Sequence, residues 1–194
     1  MKISGASLLF TLMITLGLTS CSDDEVTPKP HGYFRIDFPE KAYTSYESKC
    51  PISFEIPNYA QIELYPGKDS PDSCQFNISL PKQNAKLYCS YIPLNNNFED
   101  LVKVAYEFAA THEMKASALK RTMIEDPERK MYGIFYDIEG SAASQCQFFL
   151  SDSTHHFFRG SLYFNSRPNP DSIAPVLAFV RQDLVHMVET MKWR

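Results

Sequence analysis

The sequence predicts an α+β fold in which a twisted antiparallel sheet is covered by helices, and three observations predict it. Short runs of alternating apolar and polar side chains recur between proline, glycine and asparagine turns, as expected of half-buried strands. Two other stretches, one mid-chain and one at the end, repeat their apolar residues at helical spacing instead. From residue 32 onward the composition stays uniform, and 44% hydrophobic with 13% aromatic residues over the chain is enough for one substantial core.

The elements follow in order. Residues 33–38 (YFRIDF) alternate, which would place Phe34, Ile36 and Phe38 on one face of a strand and Tyr33, Arg35 and Asp37 on the other. Similar runs lie at 52–56, 61–65, 74–80 and 86–92, punctuated by Pro57-Asn58, Pro66-Gly67 and Pro81. Then the period lengthens. Asn97 can cap a helix whose apolar positions are Phe98, Leu101, Val102, Ala105, Tyr106 and Ala109. Glu99 and Asp100 occupy its first turn, where acids suit the helix dipole. Strands are predicted at 119–124, 131–138, 145–151 and 155–164, with turns at Asp126-Pro127, Gly140-Ser141 and Asp152-Ser153. A last helix begins near Asp171 or Ser172, tolerates Pro175 in its first turn, and carries the stripe Ile173, Val176, Leu177, Val180, Leu184, Met187, Val188 and Met191. This element order, with the aromatic hairpin ending in Ser161-Leu162-Tyr163-Phe164, resembles the PsbP/Mog1 type of sandwich. That resemblance supplies no chemistry.

The start of the chain is of another kind. Lys2 precedes an uncharged apolar run, residues 8–18 (LLFTLMITLGL), which is too short to cross a bilayer, for which about 20 residues are needed. It has the length of a secretory h-region. Leu18-Thr19-Ser20-Cys21 then has the form of a bacterial lipobox, in which the Cys21 thiol is alkylated by diacylglycerol before a peptidase cuts ahead of it. Residues 1–20 are thus read as a lipoprotein signal peptide, 21–31 as a lipidated tether and 32–194 as one α+β domain. Processing would shift the formal charge from −4 to −5, because Lys2 leaves with the signal. Two or three acyl chains anchor a protein almost permanently, at about 0.8 kcal/mol per buried methylene. The mildly acidic body, with scattered lysines, argues against a nucleic-acid partner.

Residues 22–30 (SDDEVTPKP) admit two readings. One is a solvated spacer able to span on the order of 30 Å when extended. In the other, the acids after Cys21 resemble the export signal that sends lipoproteins of the Bacteroidetes to the outer face of their outer membrane.

The segment PKPHGYFRIDFPEKAY (28–43), with Cys50-Pro51, Cys74, Asn84-Ala85, Asp137, Arg159-Gly160, Tyr163-Phe164 and the 168–175 turn, resembles the GldD gliding-motility lipoproteins of Bacteroidetes. The similarity runs from the lipobox to Trp193 and is most specific at Gly32-Tyr33-Phe34-Arg35-Ile36. His31 stands where much of that family is expected to carry arginine. The resemblance implies a non-enzymatic accessory part of the gliding machinery, needed for motility and for the associated type IX secretion system. Its partners would be the membrane, through the lipid, and other proteins of that apparatus. The location implied is the cell envelope, at the outer rather than the inner membrane.

With Cys21 acylated, Cys50, Cys74, Cys89 and Cys146 remain, and four cysteines permit three full pairings. Cys50 and Cys74 match family positions and each begins a strand, so that bridge is preferred. Cys89 and Cys146 lie within strands, either as a second bridge or as buried small hydrophobes. No CxxC or paired Cys-His spacing points to zinc, and no cofactor is expected.

Asp152, Ser153, Thr154, His155 and His156 contain the residue types of a nucleophile, base and orienter. Adjacent histidines in a strand face opposite sides, however, and no GxSxG elbow exposes the serine, so no catalytic residue is assigned. Asp152-Ser153-Thr154 and Asp171-Ser172-Ile173 fit the O-glycosylation pattern of Bacteroidetes, whereas Asn77-Ile78-Ser79 fits only the eukaryotic N-glycan rule. Tyr33, Arg35 and Asp37, with Tyr43 and Tyr46 beyond them, offer hot-spot side chains for an interaction face, and Arg159 is a further candidate. The plainer reading of Arg35 and Asp37 is a surface ion pair of small energetic weight. Beside the gliding component stands an alternative, a small-ligand or glycan-binding lipoprotein of the envelope, which the eleven tyrosines permit.

Overall fold

A computed structural model describes residues 35–64, 74–113, 116–166 and 169–194, all within the unit that runs from Phe34 to Arg194. The chain forms strands β1 (Tyr43–Glu47), β2 (Ile52–Pro57), β3 (Gln61–Leu64), β4 (Cys74–Leu80), β5 (Ala85–Pro93), β6 (Ala116–Asp126), β7 (Met131–Gly140), β8 (Ser144–Ser151), β9 (His156–Phe164) and β10 (Lys192–Trp193); β2 to β9 fall on the predicted runs, while β1 and β10 form where none was predicted. The helically spaced stretches become α1 (Phe98–Glu113) and α2 (Pro170–Thr190). Seven strands form an antiparallel sheet in the order β3-β4-β5-β9-β8-β7-β6, and β1-β2-β10 form a smaller one.

Alternation sends one set of side chains from the large sheet into a dry core. Phe76, Ile78, Leu87, Cys89, Phe148, Leu150, Phe158 and Leu162 pack there against Ile52 and Phe54 of β2 and against Val180, Leu184, Met187 and Val188 of α2. Phe54, Phe76 and Phe158 have ring centroids within 6.0–6.4 Å of one another. The other face of the sheet meets α1, where Ala105 and Ala109 lie on Tyr136, Ile138, Phe149 and Phe157. The small alanines let the helix approach the aromatic rings closely.

The predicted strand over 33–38 is not formed in its described part: residues 35–42 have no strand pairing, and the first ladder begins at Tyr43. Tyr33 and Phe34 lie outside the described residues. The reason lies in the side chains. Phe38 stacks on Phe179 of α2 at 4.3 Å, and the Lys41 ammonium sits 3.4 Å above the same ring, so the segment docks by side chains instead of by backbone pairing. Ile36, expected inward, is 41% exposed. Tyr43 and Tyr46, placed on an interaction face from sequence, turn inward instead. Tyr43 stacks on His186 at 3.7 Å, and Tyr46 packs beside Phe54 and Phe76.

Asp183 of α2, 3% exposed, organises this region. Its carboxylate accepts from Lys41 Nζ at 2.6 Å, Tyr43 OH at 2.9 Å and Tyr59 OH at 2.5 Å, while Lys41 also donates to the Phe179 carbonyl at 2.7 Å. Burial, reinforced by the adjacent carboxylate, pushes the Tyr43 phenol up to about 12. Asn169 caps the start of α2 by accepting from the Ser172 amide. At the other end Arg129 donates to the carbonyls of Val188, Glu189 and Met191, satisfying groups that a helix terminus leaves open.

A disulfide joins Cys50, ahead of β2, to Cys74 at the start of β4, Cα atoms 6.0 Å apart, and so ties the small sheet to the large one. Cys89 and Cys146 are buried free thiols, and burial pushes both above the ordinary thiol range.

Between β8 and β9 the Asp152 carboxylate accepts from the amides of Thr154, His155 and His156 at 2.8–3.0 Å and from the Thr154 hydroxyl. Burial alone would raise its pKa, yet these donors outweigh burial and hold it well below the usual carboxylate value.

Three outcomes are expected. Asp183→Asn should lower stability by about 3 kcal/mol, the lower end for a broken buried pair, because Lys41 keeps 24% of its side chain exposed; adding Lys41→Met should restore part of the loss in a denaturant titration. Reducing the Cys50–Cys74 bridge should remove roughly 3 kcal/mol in the chain-entropy model, while iodoacetamide should leave Cys89 and Cys146 untouched in the native state. Because the Asp152 pKa is depressed on folding, its contribution is present above the unfolded value, roughly 3.9, and is lost as the pH falls below it. Asp152→Asn should therefore flatten the acid limb of a stability profile, and an unchanged limb would remove the assignment.

Candidate functional site

A helix about 10 Å across cannot cover a seven-stranded sheet roughly 29 Å wide, from strand spacings near 4.8 Å. Helix α1 takes the half made by β6, β7, β8 and the start of β9, and leaves β4, β5 and the rest of β9 open on that face. The open half holds a cavity of about 690 Å³, within the range of small-molecule sites.

Strict alternation supplies its floor. Ser79 comes from β4, Lys86, Tyr88 and Ser90 from β5, Gln147 from β8, and Arg159, Ser161 and Tyr163 from β9. Phe108 of α1 forms a wall, and Asn84, Phe164 and Asn165 close one end. Asn84 takes up the left-handed region at φ 50°, which asparagine tolerates, and its amide donates to the Asn165 carbonyl at 2.9 Å. Gly160 explains why Arg159 can stand where it does. A Cβ there would fall 2.5 Å from the Phe148 ring, so glycine lets that ring lie on the β9 backbone from the core side. Its neighbour Arg159 then faces the cavity.

The cavity's electrostatics are uneven. Lys86 Nζ lies 2.8 Å from Glu63, and this bond, with further ones from Asn77 and Ser79, holds the Glu63 carboxyl below its usual range. Arg159 lies 4.2 Å over the Phe108 ring, and burial lowers its pKa. Among the described residues no carboxylate pairs with it. Gln147 is 2% exposed, and its amide nitrogen has no hydrogen-bond partner among the described residues. Tyr88, 45% exposed, is held edge-on by Tyr163 at 5.5 Å. The site combines an aromatic surface, hydroxyl and amide groups, and one uncompensated cation.

The residues singled out from sequence are dispersed. Cys21, His31 and Tyr33 lie outside the described residues. Arg35 and Asp37 form an ion pair at 3.1 Å with side chains 90% and 83% exposed, so both face solvent ahead of the first strand. Arg159 is separate, inside the cavity, joined there by Asn84, Ala85, Tyr163 and Phe164, all residues on which the family resemblance rests. Sequence reasoning missed Gln147, Ser161, Tyr88 and Ser90. Their signal was present, as polar side chains at every second position of strands too central to have an exposed edge.

The Asp152 to His156 constellation is not a triad. Asp152 is committed to the turn, and Ser153, with φ 65°, donates its amide to Ser151. His156 meets the Tyr91 hydroxyl at 2.8 Å and stacks on Trp193 at 5.1 Å. Among the described residues no group of histidine, cysteine, aspartate or glutamate is arranged to hold a metal ion.

Comparison with known proteins adds three findings. The solution structure of the cyanobacterial PsbP protein CyanoP from Synechocystis aligns with a TM-score of 0.50 at 11% identity, covering 92% of this chain and 99% of that one. At this identity the likeness shows the fold alone, and it is the PsbP type that the element order resembles. No curated protein matches the chain. A family model described as gliding motility lipoprotein GldD matches residues 23–193, so the chain belongs to the GldD family of gliding motility lipoproteins.

Proposed function

We propose that this chain is a lipid-tethered, non-enzymatic accessory part of the gliding machinery that supports the associated type IX secretion system through contacts with other proteins of that apparatus. The family match over residues 23–193 is the observation that carries the reading. The lipobox supports Cys21 as the acylated residue and cleavage before it, with residues 21–31 as the tether. The acids at Asp23, Asp24 and Glu25 favour the outer membrane. The solvent-facing Arg35–Asp37 pair, which follows the tether in sequence, supports a contact surface there. The exclusion of catalysis has support in the chemistry of the β8–β9 turn, whose carboxylate is already engaged by four donors.

A second reading, a lipoprotein that also binds a small ligand or glycan, is favoured by the cavity over β4, β5 and β9. The two are compatible, since they use different surfaces.

Metabolic labelling with an alkyne fatty acid should mark the wild-type chain and not Cys21→Ser. Arg35→Ala should abolish colony spreading at unchanged protein level and unchanged melting temperature, because the exposed guanidinium holds no buried element. Normal spreading of that variant would remove the segment from the interface, and an unlabelled wild-type chain would remove the anchor.

A further inference from the structure

We propose, resting on the ligand-binding reading just given, that the cavity on the open half of the sheet takes an acidic saccharide, a sugar unit bearing one carboxylate such as a uronic acid, with Arg159 as the carboxylate's partner. Four observations carry the proposal. Arg159 presents a planar fork of donors suited to bidentate contact with a carboxylate, and no acidic side chain among the described residues occupies it. The Arg159 guanidinium lies over the Phe108 ring at 4.2 Å, a contact that does not use its N–H groups. Gln147, 2% exposed, lines the same cavity with an unpartnered amide nitrogen, and a buried donor without an acceptor is costly to leave unsatisfied. The serine hydroxyls at 90 and 161 both donate and accept, as a polyhydroxylated ligand requires, while the half-exposed Tyr88 ring offers an apolar face to the C–H side of a sugar.

The geometry disfavours the alternatives. The site lies on the face of the sheet, where β5 is laddered on both sides by β4 and β9. An extended peptide therefore has no free strand edge to pair with. A phosphate monoester carries nearly two charges at neutral pH, whereas Lys86 is already paired with Glu63, leaving one uncompensated cation. One carboxylate balances it.

The test uses the full-length lipidated chain in detergent micelles, titrated by calorimetry with an oligogalacturonate, the uncharged galacto-oligosaccharide of equal length, and a galactose phosphate. The uronate should bind at least roughly tenfold more tightly than the neutral oligomer, the difference that one charge-assisted contact supplies. In nitrogen-15 spectra the Arg159 Nε–H and Gln147 amide signals should shift together with the uronate. Arg159→Gln should abolish the preference for the uronate over the neutral oligomer. Tyr88→Ala, on the exposed side of the site, should weaken both sugars with no change in melting temperature, and it keeps the proposal testable should the Arg159 variant fold poorly. Equal affinity for charged and neutral sugars would overturn the acidic assignment while leaving a ligand site standing. Tighter binding of the phosphate would overturn the carboxylate assignment. Binding of none of the three would overturn both the proposal and the ligand-binding reading beneath it.

Discussion

The buried Asp183 carboxylate is the constraint on which the arrangement of this unit depends. Residues 35–42 make no ladder with any strand, so apart from the Ala42 carbonyl, which accepts from the Asn58 amide, the segment is held through side chains. Its Lys41 ammonium meets two further donors, the Tyr43 and Tyr59 hydroxyls, on one helical carboxylate. Each comes from a different local structure: the entering segment, β1, and the turn between β2 and β3. A buried charge is tolerable only when paired and fully hydrogen-bonded, so the geometry around Asp183 permits little variation. With α2 fixed at this point, Phe38 can stack on Phe179 and Tyr43 on His186. The start of the described unit is thereby joined to the helix that backs the core.

The two faces of the large sheet divide the remaining work, and single dipeptides show the division. In Arg159-Gly160 the arginine lines the cavity, while the glycine accepts the Phe148 ring from the core side. In β8, Gln147 faces the cavity and Phe148 the core. A change at one position of such a pair leaves its neighbour's layer in place, which separates effects on stability from effects on binding. The aromatic core made by Phe54, Phe76, Phe148 and Phe158 needs no polar partner and keeps the sheet rigid beneath the cavity.

Much of this architecture was legible in the sequence, because long periodic segments leave little choice of element type. The runs that became β4 and β5 alternate cleanly, those that became β7, β8 and β9 are short apolar-rich stretches between turn residues, and both helices had one continuous apolar stripe. Failure came where periodicity and context disagreed. YFRIDF alternates as well as any strand, yet its described residues pair with no strand, and the Phe179 ring of α2 engages Phe38, and Lys41 beyond it, instead. β1 (YTSYE) is nearly all polar and escaped notice, since its burial comes only from Tyr43 and Tyr46. β10, two residues long, exists because it pairs with β2 and carries no signal of its own. Of the cavity, Arg159 was visible as a residue but not as part of a site: its companions are distributed over four strands and α1, and only the strand order brings them together.

The fixing of α2 bears on what the open face can do. The helix is capped by Asn169, gripped mid-length through Asp183, and closed at its end by Arg129. Beyond it, Arg194 donates to the carbonyls of Ser48 and Cys50, next to the disulfide. The core side of the sheet is thus held at every level, and the cavity floor on the opposite side is formed before any ligand arrives. The ligand binding proposed above would then have only a few rotamers left to order, chiefly those of Tyr88, Phe108 and Arg159, at about 0.5–1.5 kcal/mol each. Phe108 and Arg159 already restrain one another, and Tyr163 restrains Tyr88, which reduces even that. A chain held at the envelope by its lipid needs no apolar surface for attachment, so this polar floor is free to serve recognition.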